Sequence, residues 1–136
     1  MKRCLTVLLF VLLAAGASAA QTAHVGREFE LKAGRVVTLD GGRLRIRFAR
    51  VESDSRCPVD VTCVWAGNAE SLFEVGTRSW KGKTTLKLNT NASPERPVEV
   101  KYDRYTLKLV GLSPRLRSNQ KIKPGQYTAT LLVTKD

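Results

Sequence analysis

The residues with the widest chemical range lie close together, in Asp54-Ser55-Arg56-Cys57-Pro58-Val59-Asp60-Val61-Thr62-Cys63-Val64-Trp65-Ala66-Gly67. Cysteines could serve redox exchange, metal binding, nucleophilic attack or a crosslink. Cys57 and Cys63 are too far apart in sequence for the C-x-x-C of thiol oxidoreductases. A zinc site would need two further ligands, and the only histidine is His24, near the start of the mature chain. Glu52, Asp54 and Asp60 offer oxygens to a hard cation, but the alternating D-x-[DN]-x-[DN]-G spacing of a calcium loop is missing. Asp54, two residues before Arg56, reads as a local ion pair or turn cap. Ser55 and Ser79 sit in no nucleophile-elbow pattern, and no pair of acids is singled out for carboxylate hydrolysis. Gly41-Gly42 lacks the lysine and hydroxyl of a phosphate loop. The expectation is a Cys57–Cys63 disulfide with no catalytic residue, metal or cofactor, and hydrolase or metal-binding readings rank below binding ones.

An oxidised pair requires an oxidising compartment, and the first residues supply the address. Lys2 and Arg3 precede an apolar run from Leu5 to Ala15, followed by the small residues Ala17-Ser18-Ala19. This is the pattern of a secretory signal over 1–19, cut after Ala19 or Ala20. The apolar run is about half the roughly 20 residues that a membrane-spanning helix needs, so no retained transmembrane anchor is expected. Cys4 would leave with the signal. Loss of Lys2 and Arg3 lowers the formal charge from +11 to +9 and leaves one domain over 20–136, secreted to the periplasm or outside the cell.

The elements that must position the cysteine loop show a period of two. Phe29 and Leu31 alternate with charged residues, Ala33-Gly34 marks a turn, and Val36 to Leu39 begins a second run; this predicts a hairpin. Asp40-Gly41-Gly42 is the next turn, since Asp and Gly tolerate positive φ. Arg43-Leu44-Arg45-Ile46-Arg47-Phe48 places arginines on one face of a strand and apolar side chains on the other. Further strands are expected over Glu70 to Val75, Thr84 to Leu88, Val98 to Tyr102, Tyr105 to Val110 and Tyr127 to Thr134. The stretch from Ser113 to Gly125 is a loop carrying Arg115, Arg117, Lys121 and Lys123. About eight short strands without a helical period predict an all-β fold, an antiparallel β-sandwich or small barrel with one disulfide-closed loop.

Two surfaces stand out as binding candidates. Closing the ring from Cys57 to Cys63 is worth about 2.4 kcal/mol on the chain-entropy formula, and Pro58 restricts its geometry further. A preformed loop binds at lower ordering cost; its expected exposed residues are Arg56, Val59, Asp60 and Thr62, with Trp65 as a buried anchor and Gly67 in a turn. The competing reading is a purely structural bridge. The second surface is the row Arg43, Arg45 and Arg47, whose planar forks suit phosphate or carboxylate groups of an anionic envelope polymer. Its competitor is an ordinary solvated face paired with Glu28, Glu30 or Glu70. Nucleic acid is disfavoured, because the basic residues are not interleaved with stacking aromatics. Asn91-Ala92-Ser93 matches a glycosylation acceptor by pattern only.

The segments Asp54-Ser55-Arg56-Cys57-Pro58 and Cys63-Val64-Trp65-Ala66-Gly67 resemble those of small secreted bacterial β-rich proteins of unassigned function. Tyr105 to Pro114 and Tyr127 to Thr134 are similar to later strands of the same proteins. The resemblance implies secretion and a β-rich domain and carries no activity to any residue. The resulting expectation is a non-enzymatic domain that recognises an envelope or extracellular protein through loop 54–67, with the arginine strand as the alternative. Oligomeric state is left open.

Overall fold

A computed structural model describes residues 20–136; residues 1–19, where a secretory signal is expected, lie outside the described residues, and Cys4 with them. Nine strands are present: β1 (Gln21–Thr22), β2 (Glu28–Lys32), β3 (Val36–Leu39), β4 (Leu44–Asp54), β5 (Ala69–Gly76), β6 (Thr84–Asn89), β7 (Glu99–Tyr102), β8 (Tyr105–Ser113) and β9 (Thr128–Lys135). They form a five-stranded sheet ordered β1-β3-β4-β5-β6 and a four-stranded sheet ordered β2-β9-β8-β7. Every pairing is antiparallel except the short β1–β3 contact. Both sheets keep free edges, so the expected all-β fold takes the sandwich form and not the closed barrel.

The core follows from strand alternation. Leu44, Ile46 and Phe48 of β4 are fully buried, while Arg45 and Arg47 lie on the outer face. The opposing sheet contributes Leu31, Leu107, Leu109, Ala129, Leu131 and Val133 to the same cluster. Phe48 and Phe73 stack across β4 and β5 at 4.8 Å between ring centroids, adding about 0.5–1.5 kcal/mol beyond their area burial.

The hairpin expected over residues 28–39 does not form, because β2 pairs with β9 while β3 pairs with β4. The connection passes from one sheet to the other. Gly34 adopts φ +83°, its N–H donates to the Phe48 carbonyl, and the Ala33 N–H donates to the Tyr127 carbonyl. One turn therefore bonds to both sheets. Leu31 and Val37 face the common core from opposite sides. The turn expected at Asp40-Gly41-Gly42 is present, with positive φ at all three residues.

This topology sorts the loops between two ends. Strands β4, β6 and β8 finish, and β5, β7 and β9 begin, at one end, which therefore carries loops 55–68, 90–98 and 114–127. The other end carries the short turns at 40–43, 77–83 and 103–104. We call these the disulfide end and the turn end.

Candidate functional site

The Cys57–Cys63 disulfide is present, with Cα atoms 5.9 Å apart. The loop it closes is fastened at its base by a polar network. Ser55 N–H donates to the Asn68 carbonyl and Cys57 N–H to the Ala66 carbonyl. The Asn68 amide, 5% exposed, donates to Asn89 Oδ1 at 2.8 Å, and its oxygen accepts from the Asn91 N–H at 3.0 Å. Asn89 in turn donates to the Pro97 carbonyl. Buried amides must find such partners, since an unpaired one costs about 1–3 kcal/mol. Asn68 and Asn89 thus tie loop 55–68 to loop 90–98.

Arg56 provides a second fastening. Its guanidinium forks onto Asp54, with Nε to Oδ1 at 2.8 Å and Nη2 to Oδ2 at 2.6 Å. The remaining donors reach the Leu112 carbonyl at 2.6 Å and the Pro114 carbonyl at 2.9 Å. Tyr127 completes the cluster by donating its hydroxyl to Asp54 Oδ2 at 3.1 Å. Burial, and then the Asp54 charge, push the Tyr127 phenol up to about 12. The local Asp54–Arg56 ion pair is as expected, but the expected exposure of Arg56 is not: its side chain is 15% exposed, because four bonds draw it inward.

On the outer side, Val59 N–H donates to the Leu116 carbonyl. Asp60 accepts from the Ser118 hydroxyl at 2.6 Å and the Ser118 N–H at 2.9 Å. These two bonds hold the Asp60 carboxyl below its ordinary range. Val59, Asp60 and Thr62 are exposed, as expected from the sequence. Glu52 pairs with Arg50 and Lys87, so Glu52, Asp54 and Asp60 each engage different partners. No cluster of three or more metal-ligating acids, histidines or cysteines forms among the described residues.

Trp65 departs furthest from expectation. It is 82% exposed and Val64 is 90% exposed, so the indole projects from the loop and anchors nothing. The anchoring is done by Asn68, Arg56 and the left-handed turn at Gly67 (φ +69°), which presses the chain against Ser55 and Arg56 so closely that a β-carbon would overlap the Ser55 carbonyl oxygen. The five exposed large hydrophobics of the described residues are Val59, Val61, Val64, Trp65 and Val110. Four belong to this loop. Val110 lines a hollow of about 590 Å³ beside it, together with Arg56, Ala66, Gly67, Asn91 and Arg115. Apolar groups scattered singly are ordinary, whereas these four are concentrated on one loop.

No family model, curated protein or solved structure matches the chain. Its function must therefore follow from the chemistry of its own surfaces.

The arginine strand is less available than its alternation suggested. Arg43 lies before β4, in the turn, where it faces Asp40 at 3.6 Å. Arg45 sits over the Trp80 ring at 4.9 Å and donates to the Arg78 carbonyl. Arg47 pairs with Glu74 at 3.1 Å, and Lys83 holds the same carboxylate at 2.8 Å. Those two cations lower the Glu74 carboxyl. The partner is Glu74, not the Glu28, Glu30 or Glu70 named from the sequence. Each arginine thus has an intramolecular neighbour, and the three do not converge on one hollow.

Proposed function

We propose that this protein is an extracytoplasmic, non-enzymatic binding domain that recognises a protein partner through its disulfide end, with Val64 and Trp65 as the anchoring side chains. The observation that carries this reading is the exposure of Trp65 and Val64 on a loop whose base is fixed by a disulfide, a buried Asn–Asn bond and a four-bonded arginine. A folding role would bury the indole. Covering a tryptophan removes about 150–250 Å² from water, a gross gain of about 4–6 kcal/mol at 25 cal/mol/Å². Tryptophan is accordingly enriched among the residues that dominate binding energy. The fixed base spares the ordering cost that a mobile loop would incur. Beside the apolar tip, the hollow is lined by Thr90, Asn91, Gly67 and Gly111 together with Leu109 and Val110, the mixed apolar-and-polar composition that suits a protein surface.

Capture from an envelope extract by the oxidised domain tests the reading. Val64→Ser/Trp65→Ser should abolish capture of a partner that Arg45→Gln and Arg78→Gln variants still retain, and Cys57→Ser/Cys63→Ser should weaken it. A partner retained equally by all of these folded variants would refute recognition through the loop.

A further inference from the structure

The loop that follows β8 carries a second feature, independent of the Trp65 tip. We propose that the hollow between Pro114 and Gln126 is an oxyanion site that takes a phosphate group. Arg115, Arg117 and Lys121 line a single hollow of about 300 Å³, with the Gln120 and Gln126 amides on its wall, Ile122 beside them, and no carboxylate in the lining.

No carboxylate forms an ion pair with these side chains among the described residues, and the Arg117 charge reaches Asp60 only through space, helping the Ser118 bonds to lower that carboxyl. Ten ion pairs occur among the described residues, and none involves Arg115, Arg117, Lys121 or Lys123. Asp60, the carboxylate hydrogen-bonded to residues 114–126, has one oxygen on the Ser118 N–H and the other on the Ser118 hydroxyl. Like charges gathered around one hollow repel, and a bound anion relieves that repulsion.

The loop is also held in place. Its backbone is bonded to Arg56 at Pro114, to Val59 at Leu116 and to Asp60 at Ser118. It closes on itself through Gln120 N–H to the Arg117 carbonyl and Lys123 N–H to Gln126 Oε1. With its oxygen occupied, the Gln126 amide is left as a donor. Two guanidinium forks, an ammonium and the Gln126 N–H₂ supply donors, and Gln120 adds an amide that can turn its N–H₂ inward, a lining rich in donors that matches an oxyanion. A carboxylate is satisfied by one fork, whereas a phosphate has the charge and the number of oxygens to engage three cations. At the turn end, the hollow lined by Arg43, Arg78 and Arg104 includes Asp103 in its wall, and two of its cations already have a counter-charge, Arg43 in Asp40 and Arg104 in Asp103.

The test is an NMR titration of the oxidised protein with inorganic phosphate at low ionic strength. Saturable amide shifts should be confined to residues 115–126. Arg117→Gln/Lys121→Gln should raise the phosphate Kd at least tenfold with an unchanged melting temperature, while Arg45→Gln/Arg47→Gln and Trp65→Ser should leave it unchanged. A second arm uses vesicles of phosphatidylglycerol and phosphatidylethanolamine. Vesicle binding lost in the Arg117→Gln/Lys121→Gln protein would identify a lipid headgroup as the source, and phosphate binding without vesicle binding a soluble phosphate. Shifts spread equally over the β4 arginines, or affinity unchanged in Arg117→Gln/Lys121→Gln, would overturn the site. Because Trp65→Ser leaves phosphate binding intact, failure here is separable from failure of partner recognition.

Discussion

The two ends of the sandwich use similar side chains in opposite ways. At the turn end, Asp40 collects the Tyr105 hydroxyl at 2.6 Å, Lys135 at 2.9 Å and Arg43 at 3.6 Å. Asp40 and its partners close on one another there, and none of the exposed large hydrophobics of the described residues lies in these short turns. At the disulfide end, Asp54 and Asp60 are equally occupied, but their bonds fasten long loops. What those loops then hold outward is Val64 and Trp65, both exposed, and the cations of 115–121, which form no ion pair among the described residues. Polar side chains closed around Asp40 at one end, and a fixed loop holding exposed apolar side chains at the other, is the contrast on which the proposed binding role rests.

Glycine exchange should separate the ends most sharply. Gly67→Ala drives a β-carbon into the Ser55 backbone at positive φ, and a loss of about 4 kcal/mol or more in chemical denaturation is expected, in the range reserved for severe strain. Gly41→Ala, also at positive φ but with open space around it, should cost only about 1 kcal/mol. Next in size is Arg56→Ala. It strips a partner from Asp54, whose side chain is 7% exposed, and should cost about 3 kcal/mol; Arg43→Ala, 73% exposed at the turn end, should change stability by less than about 0.5 kcal/mol. Cys57→Ser/Cys63→Ser should follow with a loss of about 2 kcal/mol.

The pH dependence has a definite sign. An unfolded tyrosine loses its proton near the ordinary value of 10.0, whereas Tyr127 keeps its proton until about 12. The folded state therefore binds more protons in that window, and its stability falls as pH rises from 10 toward 12. Tyr127→Phe should reduce this slope in denaturation curves measured across that window and leave a remainder from Tyr105, whose phenol is also raised, by burial and then by its bond to Asp40. In acid, Asp40 and Asp60 are both held below 3.8 by their hydrogen bonds. The stability they contribute is present above 3.8 and is lost as pH falls through their depressed values. The smallest effect belongs to Trp65→Ser, which should leave stability within about 0.5 kcal/mol of the parent, since an 82% exposed side chain packs against little.

Much of the framework was legible in the sequence because alternation is a local signal. Leu44, Ile46 and Phe48, and Ala129, Leu131 and Val133, went where a period of two puts them. The 28–39 hairpin that the sequence suggests does not form, because Ala33-Gly34 marks a turn without fixing which sheet the chain rejoins. That choice depends on Phe48 and Tyr127, distant in sequence. Trp65 was expected to be buried because a large aromatic usually is, but no local pattern sets the direction of a loop side chain. Its true anchors, Asn68 and Asn89, stand at the ends of two strands, and their pairing is visible only once those strands are adjacent. The basic residues from 115 to 123 were visible as composition. Their convergence on one hollow, and the bonds that fix it to loop 57–60, were not.

The most direct test of the binding end is photocrosslinking in an envelope extract, with a photoreactive amino acid placed at Val64 and, as a control, at Arg78 on the turn end. We predict a discrete protein adduct from position 64 that disappears with Trp65→Ser and weakens on reduction of the disulfide, and no such adduct from position 78. The same adducts from both positions, or an adduct from position 64 that survives both Trp65→Ser and reduction, would contradict recognition through the disulfide end.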